Sequence, residues 1–218
     1  GAAPNLDAVA FHFYPISPWR WPTIREKTNE IKGILSRHGA GNLPLIVPEM
    51  GFWSGPGIDS SETLQARRLV QMYVQGASVG IQHLSWLGVF DGAASGSETH
   101  GLFRGFPGNL ADPKFAYFAY QTMTRELAGA RYFGPLDSAG AEGYEFTLPT
   151  GQTKTVVWSL TNPNTQVTFN QACVRLVDKL SIVTTLVNDG SGLDLDTLPG
   201  QVTVRISYDE PTYAGPCS

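Results

Sequence analysis

Charge is what this chain has least of. Asp, Glu, Lys and Arg together make up 16% of its 218 residues, with a formal net charge of −4 and no basic run. That excludes nucleic acid and anionic membrane surfaces as expected partners. No stretch approaches the roughly 18 consecutive apolar residues of a membrane span. There are only two cysteines, Cys173 and Cys217, with no C-x-x-C spacing, so no zinc site is expected from them. Whether they bridge is open from sequence alone. The chain starts at Gly1, not Met, and shows no signal peptide, so the expectation is either that something has been removed or that this is a piece of a longer protein.

Apolar residues, in contrast, are plentiful. They reach 42%, with 11% aromatics and five Trp, enough for a sizeable core and against disorder. Residues 7–14, "DAVAFHFY", alternate as a strand: Val9, Phe11 and Phe13 against Ala10, His12 and Tyr14. Residues 23–38 read as a helix with Pro22 near its start, a stripe of Ile24, Ile31, Ile34 and Leu35, and Gly39 as its stop. Residues 43–49, "LPLIVPE", form a nearly continuous apolar strand, the texture of a parallel strand covered on both faces. Asp59 and Glu62 have capping-box spacing before a helix from 61 to 77. Residues 80–90, "GIQHLSWLGVF", are the third strand. After a Gly/Ser/Ala loop, Asp112 and Pro113 mark the start of a helix reaching Gly129.

Residues 7–129 therefore read β-α-β-α-β-α, which implies parallel strands with right-handed crossovers. The long connections, 15–22, 50–60 and 91–111, all follow strands, the asymmetry of the active face of a (β/α) barrel. Beyond 140 the texture becomes short strands separated by Gly, Pro, Asn and Asp, the pattern of a small antiparallel β-sandwich. The expected division is a partial barrel over 1–130 and a sandwich over 131–218, with 130–141 as linker.

Side chains at the C-terminal ends of barrel strands point into the active site. Here those ends deliver His12 and Tyr14, spaced i, i+2 on one face, then Glu49, then Trp86. A carboxylate among His, Tyr and Trp suits sugar chemistry. Glycoside hydrolysis uses carboxylates around the scissile bond, and aromatic faces stack on pyranose rings.

The motifs "AFHFYP", "PLIVPEMGFWS" and "IQHLSWLGVFDG", followed by "HGLFR" and "DPKFAYFAYQTMTREL", resemble the C-terminal half of clan A glycoside hydrolases, the cellulase-like (β/α)8 superfamily. The resemblance covers nearly the whole chain. It implies strands six to eight of a TIM barrel followed by an appended β-sandwich, the N-terminal part of the barrel being absent. It also implies a retaining O-glycosidase acting on a β-linked glycan or glycoside. Glu49 takes the nucleophile's place, and Tyr14, paired with His12, bonds its carboxylate. Trp86 floors the cleavage subsite, and Trp53 and Trp19 stand in loops suited to sugar stacking. No cofactor or metal is implied, and secretion is the expected localisation. The family's acid/base glutamate, after an Asn at the end of strand four, has no counterpart here. Glu30 follows Asn29 but falls in a helix, on the outside of such a barrel.

Each residue also has a plainer reading. Glu49 is a salt-bridged or capping residue, His12 a hydrogen-bonded core histidine, and Trp86 barrel packing. His83 and Trp158 read as structural, and His38 favours a helix dipole. His100 and Glu98 lie in the loop after the third strand, where they could reach a substrate, but the plainer reading is a solvated loop. Asp189, Asp194 and Asp196 lie in a turn-rich hairpin rather than a calcium loop. "FAYFAYQTM" reads as the inner face of the last helix. The missing acid/base motivates an alternative function, a non-catalytic carbohydrate-binding or scaffold module. A metal-dependent barrel enzyme is disfavoured, since His12, Glu49 and His83 lack ligand spacing.

Overall fold

The computed structural model describes residues 5–15, 23–55, 60–92, 99–105, 112–161, 163–188 and 200–217. Trp19, Asp59, Glu98, Asp189, Asp194 and Asp196 lie outside them. The chain divides into two compact units, Gly1–Tyr117 and Phe118–Ser218. The first antiparallel strand begins at residue 131, within the segment 130–141 that the sequence reads as a linker.

The first unit is built on three parallel strands in the order β1 (Val9–Phe13), β2 (Leu45–Met50), β3 (His83–Trp86). Helix α1 (Ile24–Arg37) joins the first pair and α2 (Glu62–Ser78) the second. Thr23 caps α1 through a full capping box with Glu26. Ser61 caps α2, accepting from the Leu64 backbone amide. Glu62, expected as part of that cap, is instead the helix's first residue and accepts from the Arg104 guanidinium at 2.6 Å. Phe13, Ile24, Val47, Met50, Met72 and Ile81 close the core between sheet and helices. The other face of the sheet carries Ala10, His12 and His83, all exposed. Among the described residues β1 and β3 each pair along one edge only.

Helix α3 spans Phe115–Glu126. Asp112, expected as its cap, lies three residues before it and is ion-paired with Arg104. The expected aromatic inner face is also corrected. Ala116, Ala119, Thr122 and Met123 are buried, while Phe115 and Phe118 are exposed. The buried stripe is thus made mostly of small residues, and the phenylalanines fall on the exposed side of the helix.

The second unit holds a six-stranded antiparallel sheet, order β4 (Arg131–Pro135), β5 (Ala141–Thr147), β6 (Thr153–Ser159), β11 (Thr212–Pro216), β8 (Cys173–Asp178), β9 (Val183–Val187). A two-stranded ribbon, β7 (Asn164–Phe169) with β10 (Val202–Ser207), supplies one side of a shared core: Val167, Phe169, Val202, Val204 and Ile206 meet Val157, Val174 and Ala214 of the larger sheet. On that sheet's other face, Tyr144, Phe146, Val156, Trp158 and Tyr213 are buried as well. This is why β6 is buried from Lys154 onward, on both faces. Trp158 is core, as its sequence context suggested. Cys173 and Cys217 form a disulfide across 44 residues, fastening the C-terminus to β8. A cross-link of this loop length is worth about 2–4 kcal/mol.

Glu126, on α3, is buried with Lys154 and Arg175 at 3.0 and 3.1 Å. Burial alone would raise its pKa, but hydrogen bonds from Arg175 and Lys154 hold it below the ordinary carboxylate value. A carboxylate with a depressed folded pKa stabilises above its unfolded pKa and loses that contribution as pH falls through the folded value. Thermal unfolding followed across pH 2–7 should therefore show an acid-side loss that flattens in Glu126→Gln. An identical acid limb in the variant would remove this cluster from the account.

Candidate active site

The placement of Glu49 depends on an irregularity in β2. Val9 pairs with Leu45 and Ala10 with Ile46, but His12 pairs with Glu49 and Phe13 with Met50. Two steps along β1 thus match three along β2, and the same extra residue appears against β3, where Val47 pairs with Leu84 and Met50 with Trp86. The surplus falls at Pro48–Glu49, as a β-bulge, where a proline's missing N–H is tolerated. Without it, Glu49 would share the face of Leu45 and Val47 and point into the core. The bulge turns it onto the face of His12, and Met50 takes the buried position.

Tyr14, two residues beyond His12, donates its phenol to Glu49 Oε1. His12 Nδ1 lies 3.5 Å from the same oxygen. Burial, then the hydrogen bond to Glu49 and its negative charge, raise the Tyr14 pKa far above the ordinary phenol value. Tyr14 therefore remains a donor throughout the neutral range. Both neighbours contact Oε1, which leaves Oε2 for other chemistry.

A cavity of about 470 Å³ opens at this carboxylate, lined by Tyr14, Glu49, Trp53, Leu87, Gly88, Phe90, Gly92 and His100. Of the five described residues singled out from the sequence, three, Glu49, Tyr14 and Trp53, share it; Trp19 lies outside the described residues. His12 reaches it through Glu49. Trp86 is not among its lining: it packs partly against the core and donates its indole N–H to the His100 carbonyl at 2.8 Å. His100, read from sequence as a solvated loop residue, is instead part of the cavity wall.

The wall after β3 is fastened from below by a buried cation. Lys114, 1% exposed, reaches Asp91 Oδ1 at 2.5 Å, Ser54 Oγ at 2.9 Å and the Thr99 carbonyl at 3.1 Å. Burial lowers its pKa, and the contacts with Asp91 oppose that shift. The same Asp91 oxygen accepts the Gly101 amide at 3.0 Å. Position 101 must be glycine for lack of space, since a Cβ there would stand 2.2 Å from the Phe90 carbonyl carbon. Buried Gln65 of α2 adds its amide near the carbonyls of Phe52, Thr99 and His100. Nothing in the local sequence marks Lys114 or Gln65 as part of this. No group of three or more His, Cys, Asp or Glu side chains suited to a metal is found among the described residues.

No protein-family model and no curated protein matches the chain. Solved structures do. A family 39 glycoside hydrolase from Bacteroides cellulosilyticus superposes with a TM-score of 0.67 at 17% identity, covering 99% of this chain and 45% of the other. A family 51 arabinofuranosidase from Xanthomonas axonopodis gives 0.60 at 9% identity, covering 99% and 54%. A family 30 endoxylanase from Clostridium papyrosolvens gives 0.56 at 12%, covering 100% and 50%. The chain spans about half the length of the solved chains it matches. At such identities the likeness is one of fold: this chain carries the fold of the C-terminal part of the clan A glycoside hydrolases.

Proposed function

We propose that this chain is the C-terminal portion of a retaining O-glycoside hydrolase acting on a β-linked glycan or glycoside, with Glu49 as its nucleophile. The observation that carries the reading is the Tyr14–Glu49 hydrogen bond at the mouth of an aromatic-lined cavity, on a carboxylate that a bulge has turned out of the core. In this reading β1, β2 and β3 are strands six, seven and eight of a (β/α)8 barrel. The sheet edges left open on β1 and β3 belong against the remainder of that barrel. The two antiparallel sheets form the appended β-sandwich, and the Cys173–Cys217 bridge suits an oxidising, extracytoplasmic setting.

The chemistry divides between what this chain holds and what it lacks. Glu49 Oε2 attacks the anomeric carbon, the bond to the leaving oxygen breaks, and an acid from outside this chain protonates that oxygen. Water then releases the glycosyl ester, with the proton returning to the same acid. Tyr14 steadies Oε1 and spreads the charge that Glu49 loses on esterification. Trp53 offers a ring face to the sugar. Trp86 serves by holding the His100 carbonyl.

One observation favours the second reading, a non-catalytic carbohydrate-binding or scaffold module: Glu49 is the one carboxylate lining the cavity among the described residues. Proton NMR of the anomeric signal during cleavage of aryl β-glycosides by the complete protein separates the two. A first-formed product of retained configuration is expected. Inversion would remove the nucleophile role, and no turnover across the panel would leave the binding module.

A further inference from the structure

We propose that His100 is a positioning residue of the Glu49 site, its ring holding Tyr14 in the orientation that lets the phenol donate to the carboxylate. The two rings meet edge-on, with centroids 5.6 Å apart and planes at 73°. On its other side His100 meets Trp53 edge-on, at 6.1 Å and 88°. Trp53 in turn stacks on Phe52 at 6.2 Å. Tyr14 thus lies at the end of a row of rings that limits its swing away from Glu49.

The row is closed from below by Gly51. A Cβ there would lie 3.1 Å from His100 Cδ2 and 3.3 Å from Tyr14 Cε1, so a side chain at residue 51 would crowd both rings at their junction. The backbone of His100 is fixed as firmly as its ring. Its carbonyl accepts from Trp86 Nε1 at 2.8 Å and Gln65 Nε2 at 3.1 Å. Its neighbours Thr99 and Gly101 are tied to the buried Lys114–Asp91 pair. A buried ion pair, a buried amide and an indole N–H all converge on a three-residue segment, and the side chain it delivers to the cavity is His100. The imidazole acts on Tyr14 through this edge contact.

The catalytic consequence rests on Glu49 being the nucleophile; the hold on Tyr14 does not. The experiment uses the complete protein with 13Cζ-labelled tyrosine, whose shift reports hydrogen bonding of the phenol. The Tyr14 signal is assigned by Tyr14→Phe, and Glu49→Gln gives its position with a weakened acceptor. His100→Ala should move the Tyr14 signal toward that position. His100→Phe, which keeps an aromatic edge without nitrogens, should leave it in place. The Tyr117 signal, from a ring packed on Phe103 at 4.8 Å, should stay fixed in both.

On an aryl glycoside that the wild type cleaves, His100→Ala should lower kcat roughly tenfold to a hundredfold with little change in KM. His100→Phe should restore it. The proposal is overturned if the Tyr14 signal is unmoved in His100→Ala, if Tyr117 moves with it, or if the Phe variant behaves like the Ala variant. A wild type that cleaves nothing defeats the glycosidase reading alone, since the tyrosine signals still decide the role of His100.

Discussion

If Glu49 is the nucleophile proposed above, Glu49→Gln is expected to lower turnover of the complete protein by on the order of 10⁴-fold or more, while the folded structure is kept. The amide keeps the volume and the hydrogen-bonding edge of the carboxylate but cannot attack the anomeric carbon. Its oxygen still accepts from Tyr14, so KM for an aryl glycoside should change far less than kcat. Steady-state kinetics with thermal unfolding of the same preparation check both halves. Because the side chain is partly exposed on a bulge and outside the core cluster, the melting temperature should stay within a few degrees. A variant that retains near wild-type turnover removes Glu49 from catalysis. One that loses activity together with its fold assigns the residue to structure.

The largest effect on stability is expected at Lys114. Lys114→Met keeps the length and apolar stem but removes the ammonium that Asp91, Ser54 and the Thr99 carbonyl share. Asp91, only 14% exposed, is then left without its ion-pair partner. Removing one member of such a pair costs about 3–5 kcal/mol, most of it from the uncompensated charge that remains. Denaturant unfolding should show that loss, and the double variant Lys114→Met/Asp91→Leu should recover part of it, since replacing both partners leaves no buried charge. A double variant destabilised by the sum of the losses in Lys114→Met and Asp91→Leu would mean that the pair is not coupled. The Lys114 variant should also lose activity beyond its loss of stability, because Thr99 and Gly101 flank His100.

Much of the first unit was legible because local pattern and tertiary position agree there. The alternation of Val9, Phe11 and Phe13, the apolar run at Leu45–Val47 and the helices between them needed no distant information. The same alternation misplaces Glu49, however, since an even spacing from Leu45 puts it in the core. Only the bulge corrects this, and its one trace in the sequence is Pro48, a residue that a regular parallel strand excludes. Strands β4 and β11 escaped notice because each contains Gly and Pro, yet β11 sits between β6 and β8 with Tyr213 and Ala214 fully buried. There burial against two neighbouring strands outweighs intrinsic propensity. Between the two readings open for His100, sequence pattern favours the solvated loop, for a different reason. Its place in the wall is fixed by Lys114, Gln65 and Trp86, contacts between residues 14 to 35 positions apart or acting through its neighbours, and no local pattern encodes them. Trp86 was noticed as an aromatic at a strand end, but its pairing with Met50 places it beside the core.

The most direct test of the central claim is to trap the glycosyl ester. The complete enzyme is incubated with an activated 2-deoxy-2-fluoro glycoside, whose fluorine slows the second step more than the first, then digested and analysed by mass spectrometry. The account predicts one sugar mass added to the peptide containing Glu49, and none in Glu49→Gln. A sugar attached to a different carboxylate, or turnover of the parent glycoside without any adduct and with inverted configuration, would contradict it.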